Sequence, residues 1–296
     1  MIEKGASVAL GMFDGLHLGH IEVIKAAVYR SSYNPTVFTF NDNSLLPKMK
    51  KRENIITYEQ KIKLLKSIGV KKIFAPDFIE TKNFSPEEFV EKILICELNA
   101  KYVTCGYDFR FGKNGKAGPG ELKKICSMHN IAAKKIPAVL VNGKAVSSTE
   151  IRKLIKSGNI QEANLLLGYD LMYELPVIHG RKLGRNLNIP TINQAFPEGN
   201  VMPRPGVYRS WTKIRGCQQR SITNIGFKPT IDNKNISPVI ETHLIGFNGS
   251  ADSNFYGETI TVSLIDFIRD EQKFNSIEDL KSQIEIDIKS SLKEII

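Results

Sequence analysis

The sequence predicts two domains: an α/β domain built on a parallel sheet over residues 1–170, then a small antiparallel β-barrel with a C-terminal helix over residues 171–296. Two textures lead there. The first half alternates strand-like and helix-like segments, whereas the second is a series of short β-rich runs separated by Gly, Pro and Asn. Length is the third observation, since 296 residues exceed the roughly 250 at which a single core stops growing and chains divide.

In the first half the strands read Ser7–Leu10, Thr36–Phe40, Lys72–Phe74 and Tyr102–Cys105, with helices starting near Ile21, Tyr58, Pro86 and Gly120. The run ASVAL ending at Leu10 is short, apolar and bounded by glycines, which suits a buried parallel strand. Gly11, Gly15 and Gly19 break it, and from Ile21 the positions Ile21, Ile24, Ala27 and Val28 have helical spacing. The helix near Pro86 has Ser85 as a cap, Pro86 in its first turn and an apolar face of Phe89, Ile93 and Leu94.

In the second half the runs are Val177–Ile178, Val207–Trp211, Ser221–Ile225, Val239–Ile245 and Thr259–Phe267, the spacing of a small barrel. Ser276 to Asp279 is a capping-box sequence. Ile277, Leu280, Ile284, Ile288 and Leu292 follow on one helical face, expected to pack on the barrel. The domain junction is expected at Gly168–Pro176.

The net charge of +10 is uneven, +9 over residues 1–170 and +1 over residues 171–296. Such an excess suits polyanions, whether nucleic acid or small phosphorylated substrates such as ATP. The densest basic run, Lys48, Lys50, Lys51 and Arg52, has no interleaved aromatic residues to stack bases, so nucleic acid is not the expected partner. Cys96, Cys105, Cys126 and Cys217 show neither a CxxC pair nor metal-ligand spacing, which predicts reduced, mostly buried thiols. The N-terminus enters the first strand without a signal-peptide pattern, and no apolar run reaches the roughly 18 residues of a membrane helix. A cytoplasmic protein is expected.

Ten residues, GMFDGLHLGH from Gly11 to His20, carry the chemistry of the first half. They place His17 and His20 between a strand and a helix, where backbone N–H groups and the helix dipole favour phosphate. Gly106 to Gly112, GYDFRFG, follows another strand, and VSSTEIR from Val146 to Arg152 opens a helix expected to run through Leu154, Ile155 and Gly158. An Asp such as Asp108 between glycines also suits an Asx turn, and Ser or Thr at a helix start also suits a cap. No glycine-lysine-serine phosphate loop is present.

In the second half His179 to Asn193 reads HGRKLGRNLNIPTIN. Thr191 and Asn193, two apart on an extended segment, face one side. Then come Gly206-Val207-Tyr208, Asn224-Ile225-Gly226 with Pro229-Thr230, ETHL at Glu241–Leu244, Tyr256-Gly257 and IRDEQKF at Ile268–Phe274. Glu241 and His243 fall on one strand face, and an inward placement toward a ligand is expected. Arg269 and Glu271 also suit surface ion pairing.

In this order, over nearly the whole chain, these motifs resemble bacterial bifunctional riboflavin kinase/FMN adenylyltransferase, also called FAD synthetase. The resemblance implies an α/β nucleotidyltransferase domain with a Rossmann-like parallel sheet, followed by a β-barrel riboflavin kinase domain. It implies ATP as co-substrate, Mg²⁺, and riboflavin, FMN and FAD as substrates and products. His17, His20 and Arg152 would neutralise charge as FMN attacks the α-phosphorus of ATP. Gly11, Phe13, Asp14, Gly15, Gly19, Asp108, Ser147, Ser148 and Thr149 would bind that nucleotide. In the kinase half Gly180, Arg181, Lys182 and Gly184 would bind ATP, Thr191 and Asn193 the metal, and Arg269 and Glu271 the flavin. Glu241 would take the proton of the riboflavin 5′-hydroxyl.

The chain departs from the family at two places. Phe40–Ser44 reads FNDNS where the family carries FxPHP, and Leu187–Ile189 reads LNI where it carries Leu-Gly-Phe/Tyr; a glycine usual near Pro176 is also absent. Two alternatives therefore stand: the same fold retaining one activity, the kinase, or a flavin- or RNA-binding regulatory protein. Oligomeric state is not legible.

Overall fold

The computed structural model describes residues 4–41, 53–179, 191–229, 236–247 and 255–292. Contacts divide the chain into two units, Met1–Ser148 and Thr149–Ile296.

The first unit is a parallel sheet of β1 (Ala6–Leu10), β2 (Asn34–Phe38), β3 (Lys72–Phe74), β4 (Ala100–Gly106) and β5 (Ala132–Ile136), in the order β3-β2-β1-β4-β5. Its helices are α1 (Leu18–Val28), α2 (Tyr58–Ser67), α3 (Phe78–Thr81), α4 (Pro86–Glu88) and α5 (Pro119–Met128). All five residues of β1 are buried, as its apolar run requires. The chain leaves β1 toward β2 on one side and returns as β4 on the other, so the strand order reverses between β1 and β4. In open α/β sheets ligands bind at the carboxyl ends of strands at such a reversal. Leu10 pairs with Cys105, so the segments after β1 and β4 leave the sheet side by side.

Local chemistry explains the bounds. Ser85 and Glu88 form the capping box of α4, which continues as a π-helical segment, Phe89–Glu97, burying Phe89, Ile93 and Leu94. The second strand ends at Phe38 rather than Phe40, whose ring packs edge-on against Phe38 and Phe78, each at 5.2 Å. The sequence gives no apolar signal for β5 because AAKKI is an edge strand, and Lys134 and Lys135 are exposed there. A short hairpin of β6 (Leu140–Val141) and β7 (Lys144–Ala145) turns at Asn142 and Gly143, both at positive φ.

The helix α6 (Ser148–Ser157) starts at the unit boundary and stops before Gly158, whose φ of +85° ends it sooner than expected; α7 (Ile160–Leu167) follows. The second unit is an antiparallel sheet of β8 (Met172–Pro176), β9 (Thr191–Ala195), β10 (Gly206–Ile214), β11 (Cys217–Pro229), β12 (Ile236–Leu244) and β13 (Thr259–Asp270), with α8 (Ile277–Leu292) last. The order is β8-β13-β10-β11-β12-β9. The edge strands β8 and β9 nearly close a barrel. Ile178 donates to the Asn193 carbonyl at 2.8 Å, and the Gln194 Nε2 donates to the carbonyls of Leu175 and Ile260 at 2.7 and 2.9 Å.

The barrel interior combines apolar side chains such as Ile192, Ile240, Ile260 and Leu264 with a buried row of hydroxyls. Thr212 bonds Ser221 at 2.8 Å, Ser221 bonds Ser210 at 2.7 Å, Ser210 bonds Thr223 at 2.7 Å, and Thr223 bonds Thr242 at 3.0 Å. A hydroxyl can both donate and accept, so Ser221, Ser210 and Thr223 each bond two neighbours and Thr212 and Thr242 end the row with one apiece.

The terminal helix bears out its expectation in the middle and departs from it at the ends. Ser276 caps it as the motif predicts, its hydroxyl accepting from the Asp279 N–H at 3.1 Å. Its buried residues, however, are Asp287 and Ser291, while Ile277 is 59% exposed and Leu292 42%. The helix packs on β11 and β13 as expected, with Leu280, Ile284 and Ile288 half-buried, and adds polar contacts, Arg269 to Asp287 and Arg209 to the Ser290 carbonyl.

All four cysteines are free; Cys96 and Cys217 are exposed, contrary to the expectation of mostly buried thiols. Burial pushes the thiols of Cys105 and Cys126 up to about 11, so both stay protonated and unreactive at pH 8. Alkylation at pH 8 is expected to modify Cys96 and Cys217 quickly and the other pair only after unfolding, read by mass spectrometry. Ser210→Ala removes a partner from two buried hydroxyls and is expected to cost about 1–3 kcal/mol, read as a lower urea midpoint.

Candidate active sites

The loop after β1 is wound tightly. Phe13, Gly15 and Leu16 have φ of +52°, +76° and +39°, and burial of the Phe13 and Leu16 side chains holds the two non-glycine residues there. Asp14 staples the loop: its Oδ1 accepts from the Ile55 N–H at 2.9 Å, and its carbonyl accepts from the Ser148 hydroxyl at 3.0 Å. Gly15 is needed twice, for its φ and because a Cβ would lie 2.8 Å from Ile55 Cδ1.

This winding delivers the histidines to the N-terminus of α1. His17 is the N-cap, its Nδ1 accepting from the His20 N–H at 3.3 Å, so His20 lies in the first turn rather than in the preceding loop. The two rings stack at 3.6 Å between centroids, and Phe13 packs edge-on to His20 at 5.4 Å. Two imidazoles thus share the positive end of a helix dipole, with Phe13 packed edge-on to one of them.

The loop after β4 is anchored by Phe111, buried against Phe89 at 5.4 Å and bridged to Ala117. That leaves Tyr107 and Asp108 exposed in the turn closed by the Phe109 N–H on the Gly106 carbonyl. Ser147 is half-buried and Ser148 opens α6; its hydroxyl serves the Asp14 carbonyl. Thr149 is exposed, and Arg152 is half-buried one turn on. Of the altered Phe40–Ser44 segment, Asn41 Nδ2 donates to Asp77 Oδ1 at 3.3 Å, and residues 42–44 lie outside the described residues.

In the barrel, strand register assembles the second group. Glu241 pairs with Asn193 on β9 and Asn224 on β11, and His243 pairs with Thr191 and Ile222. Glu241 and His243 do share a face, but the inward expectation is corrected: Ile240, Thr242 and Leu244 point into the interior, so Glu241 lies on the outer face of the wall, half-buried. There Asn193 Nδ2 approaches Thr191 Oγ1 at 3.4 Å, and Asn224 Nδ2 donates to Glu271 Oε1 at 3.3 Å. Arg269 pairs with Asp287 of α8 rather than joining this group. Gly180, Arg181, Lys182, Gly184 and Leu187–Ile189 lie outside the described residues.

Three residues escaped the sequence reading: Ile55, whose backbone holds Asp14; Asn224, inside a recognised motif but given no role; and Asp287, hidden among the isoleucines of α8. An acid flanked by apolar residues was the available signal for Asp287.

A parallel sheet with paired histidines at its strand reversal, joined to a barrel with a carboxylate, amide and hydroxyl group on its wall, defines a two-domain transferase acting on nucleotides. The FAD synthetase family model matches residues 1–150 and the riboflavin kinase model residues 167–295. A bifunctional riboflavin kinase/FMN adenylyltransferase of Bacillus subtilis is 33% identical over 98% of this chain and 93% of its own length. One from Buchnera aphidicola of Schizaphis graminum is 34% identical over 97% and 93%. A crystal structure from Streptococcus pneumoniae, described as a macrolide-efflux protein, matches with a TM-score of 0.85 at 30% identity, covering 98% of this chain and 95% of that one. The chain belongs to the bifunctional riboflavin kinase/FMN adenylyltransferase family. Efflux is said of the Streptococcus protein alone; no helix among the described residues here is long and apolar enough to cross a membrane.

Gly15→Ala is expected to destabilise the first unit by roughly 1–3 kcal/mol through the strained φ and the collision with Ile55. Loss of hydrogen-exchange protection at the Ile55 amide is the readout.

Proposed function

We propose that this chain makes FAD from riboflavin in two ATP-dependent steps in the cytoplasm, with residues 171–296 as the kinase and residues 1–170 as the adenylyltransferase. The observation that carries the reading is the cross-strand grouping of Thr191, Asn193, Asn224 and Glu241 on one wall of the barrel. It supplies a carboxylate to accept a proton beside neutral oxygen and amide groups suited to a phosphate and its metal.

In the kinase step the riboflavin 5′-hydroxyl attacks the γ-phosphorus of ATP. Its proton passes to Glu241, and the bond from the γ-phosphorus to the oxygen of the departing ADP breaks, giving FMN. Among the described residues no group of three His, Cys, Asp or Glu side chains forms a metal cage. The neutral oxygens of Thr191 and Asn193 fit Mg²⁺ arriving with the ATP phosphates. When bound, it would neutralise phosphate charge.

In the second step a phosphate oxygen of FMN attacks the α-phosphorus of ATP and pyrophosphate leaves, giving FAD. No side chain needs to be a nucleophile, so positioning and charge neutralisation carry the reaction. The roles proposed for His17, His20 and Arg152 follow, with Gly11, Phe13, Gly15, Gly19, Asp108, Ser147 and Thr149 about the nucleotide. The basic excess of residues 1–170 suits these polyanionic substrates without a nucleic-acid partner.

Purified protein with riboflavin, ATP and Mg²⁺ is expected to yield FMN and then FAD by chromatography. Glu241→Gln is expected to slow FMN formation about 100- to 10,000-fold while FMN supplied directly is still converted to FAD. His20→Ala is expected to do the reverse. FMN accumulating without FAD in the unaltered protein would show that the kinase alone survives the changed Phe40–Ser44 segment.

A further inference from the structure

Strand register puts a second titratable side chain beside Glu241 on the kinase wall. On the outer face the residues stand in rows across β9, β12 and β11: Asn193, Glu241 and Asn224 form one row, Thr191, His243 and Ile222 the next, and Ala195, Val239 and Gly226 the row on the other side. In these three rows His243 is the side chain that can carry a positive charge, and it is half-buried like Glu241. The residues facing it across the strands are the uncharged Thr191 and Ile222, with Glu241 two positions before it on β12. Arg220, one row further along β11, is held over the Trp211 ring at 5.6 Å.

Distances decide where a phosphoryl group can lie. A base meets the hydroxyl it deprotonates at about 3 Å, and the attacking oxygen stands roughly 3–3.5 Å from the phosphorus in a reactive complex. The phosphorus then lies up to about 6.5 Å from the Glu241 carboxylate. Successive side chains on one face of a strand are about 6.6–6.8 Å apart, so the phosphoryl oxygens reach a row next to that of Glu241. One such row is apolar at Val239 and Ala195, and the Glu271 carboxylate seated over Gly226 repels phosphate there. The other carries His243 directly across from Thr191, one of the two proposed metal residues, with Cβ atoms about 4.5–5.5 Å apart.

We propose that His243 is a catalytic residue of the kinase step, its imidazolium meeting the γ-phosphoryl oxygens while Glu241 takes the proton of the riboflavin hydroxyl. The inference rests on the kinase reading above. As the bond from the hydroxyl oxygen to the γ-phosphorus forms, the bond to the β–γ bridging oxygen breaks and its electron pair leaves with ADP. His243 donates hydrogen bonds throughout and keeps its own proton. A cation at this place acts most as charge spreads over the phosphoryl and leaving oxygens, so it lowers the barrier more than it tightens binding.

The test measures kcat and riboflavin KM for FMN formation between about pH 6 and about pH 9 in the full chain, its His243→Ala variant and its His243→Arg variant. FMN-to-FAD conversion and melting temperature are the controls. His243→Ala is expected to lower kcat about 100- to 1,000-fold, with riboflavin KM and both controls close to those of the unaltered chain. A histidine titrates near neutrality, so kcat of the unaltered chain is expected to fall as pH rises and the imidazolium loses its proton. His243→Arg, whose charge is fixed, is expected to recover part of the rate and to lack that fall. An unchanged kcat in His243→Ala would overturn the inference, and so would an alkaline fall that persists in His243→Arg. Where a variant does not fold, the unaltered chain decides: a fall through neutrality sustains the inference, and a kcat level to about pH 9 overturns it. Absence of riboflavin phosphorylation in the unaltered chain at every pH would instead sink the kinase reading itself.

Discussion

Hydrogen-bonded register between neighbouring strands fixes which side chains meet in both units. In the first, the parallel pairing of Leu10 with Cys105 sends two glycine-bounded loops out of the sheet side by side. In the second, the antiparallel pairing of Glu241 with Asn193 and Asn224 builds a polar group from three strands. Because strand side chains alternate, a one-residue slip of β12 would bury Glu241 among the interior hydroxyls and expose Ile240 and Leu244. Burial of that apolar set thereby holds the carboxylate outside.

Polar contacts bear part of the packing usually left to apolar ones. The hydroxyl row from Thr212 to Thr242 satisfies itself across β10, β11 and β12, and Gln194 spans the seam between the edge strands with its amide. Directional bonds of this kind specify one arrangement where apolar packing tolerates several. In α8, Asp287 and the Ser290 carbonyl add directional bonds beside the half-buried Leu280, Ile284 and Ile288. A buried ion pair adds little net stability over an apolar replacement, but losing one partner strands a charge. Such a contact fixes where the terminal helix sits on β13 more than it adds raw stability.

Periodicity made the two architectures and the motif-bearing strands legible because β1 is a mostly apolar run, interrupted only by Ser7, and the barrel runs alternate. The edge strand β5 was not, since its exposed lysines mask it, and the end of α6 was missed because Gly158 at positive φ looks in sequence like a tolerated helical glycine. At the sites, residue types were legible but their partners were not. Asp14 and Ser148 carry groups suited to a nucleotide, yet the structure engages them with Ile55 and with each other. Arg269 looked like a ligand or surface residue because nothing in its neighbourhood announces Asp287, eighteen positions on. The outer placement of Glu241 follows from Thr242 joining the hydroxyl row, a long-range pairing that local alternation does not reveal.

The account's central claim is that one chain moves two different phosphorus atoms of ATP onto one flavin at separate sites. Incubating the protein with riboflavin and Mg²⁺ in parallel with ATP labelled at the α- or the γ-phosphorus, then isolating the flavins, tests this most directly. The account predicts γ-label but no α-label in FMN, and both labels in FAD. Absence of α-label from every flavin would contradict the adenylyl-transfer half, and α-label without γ-label would contradict the kinase half.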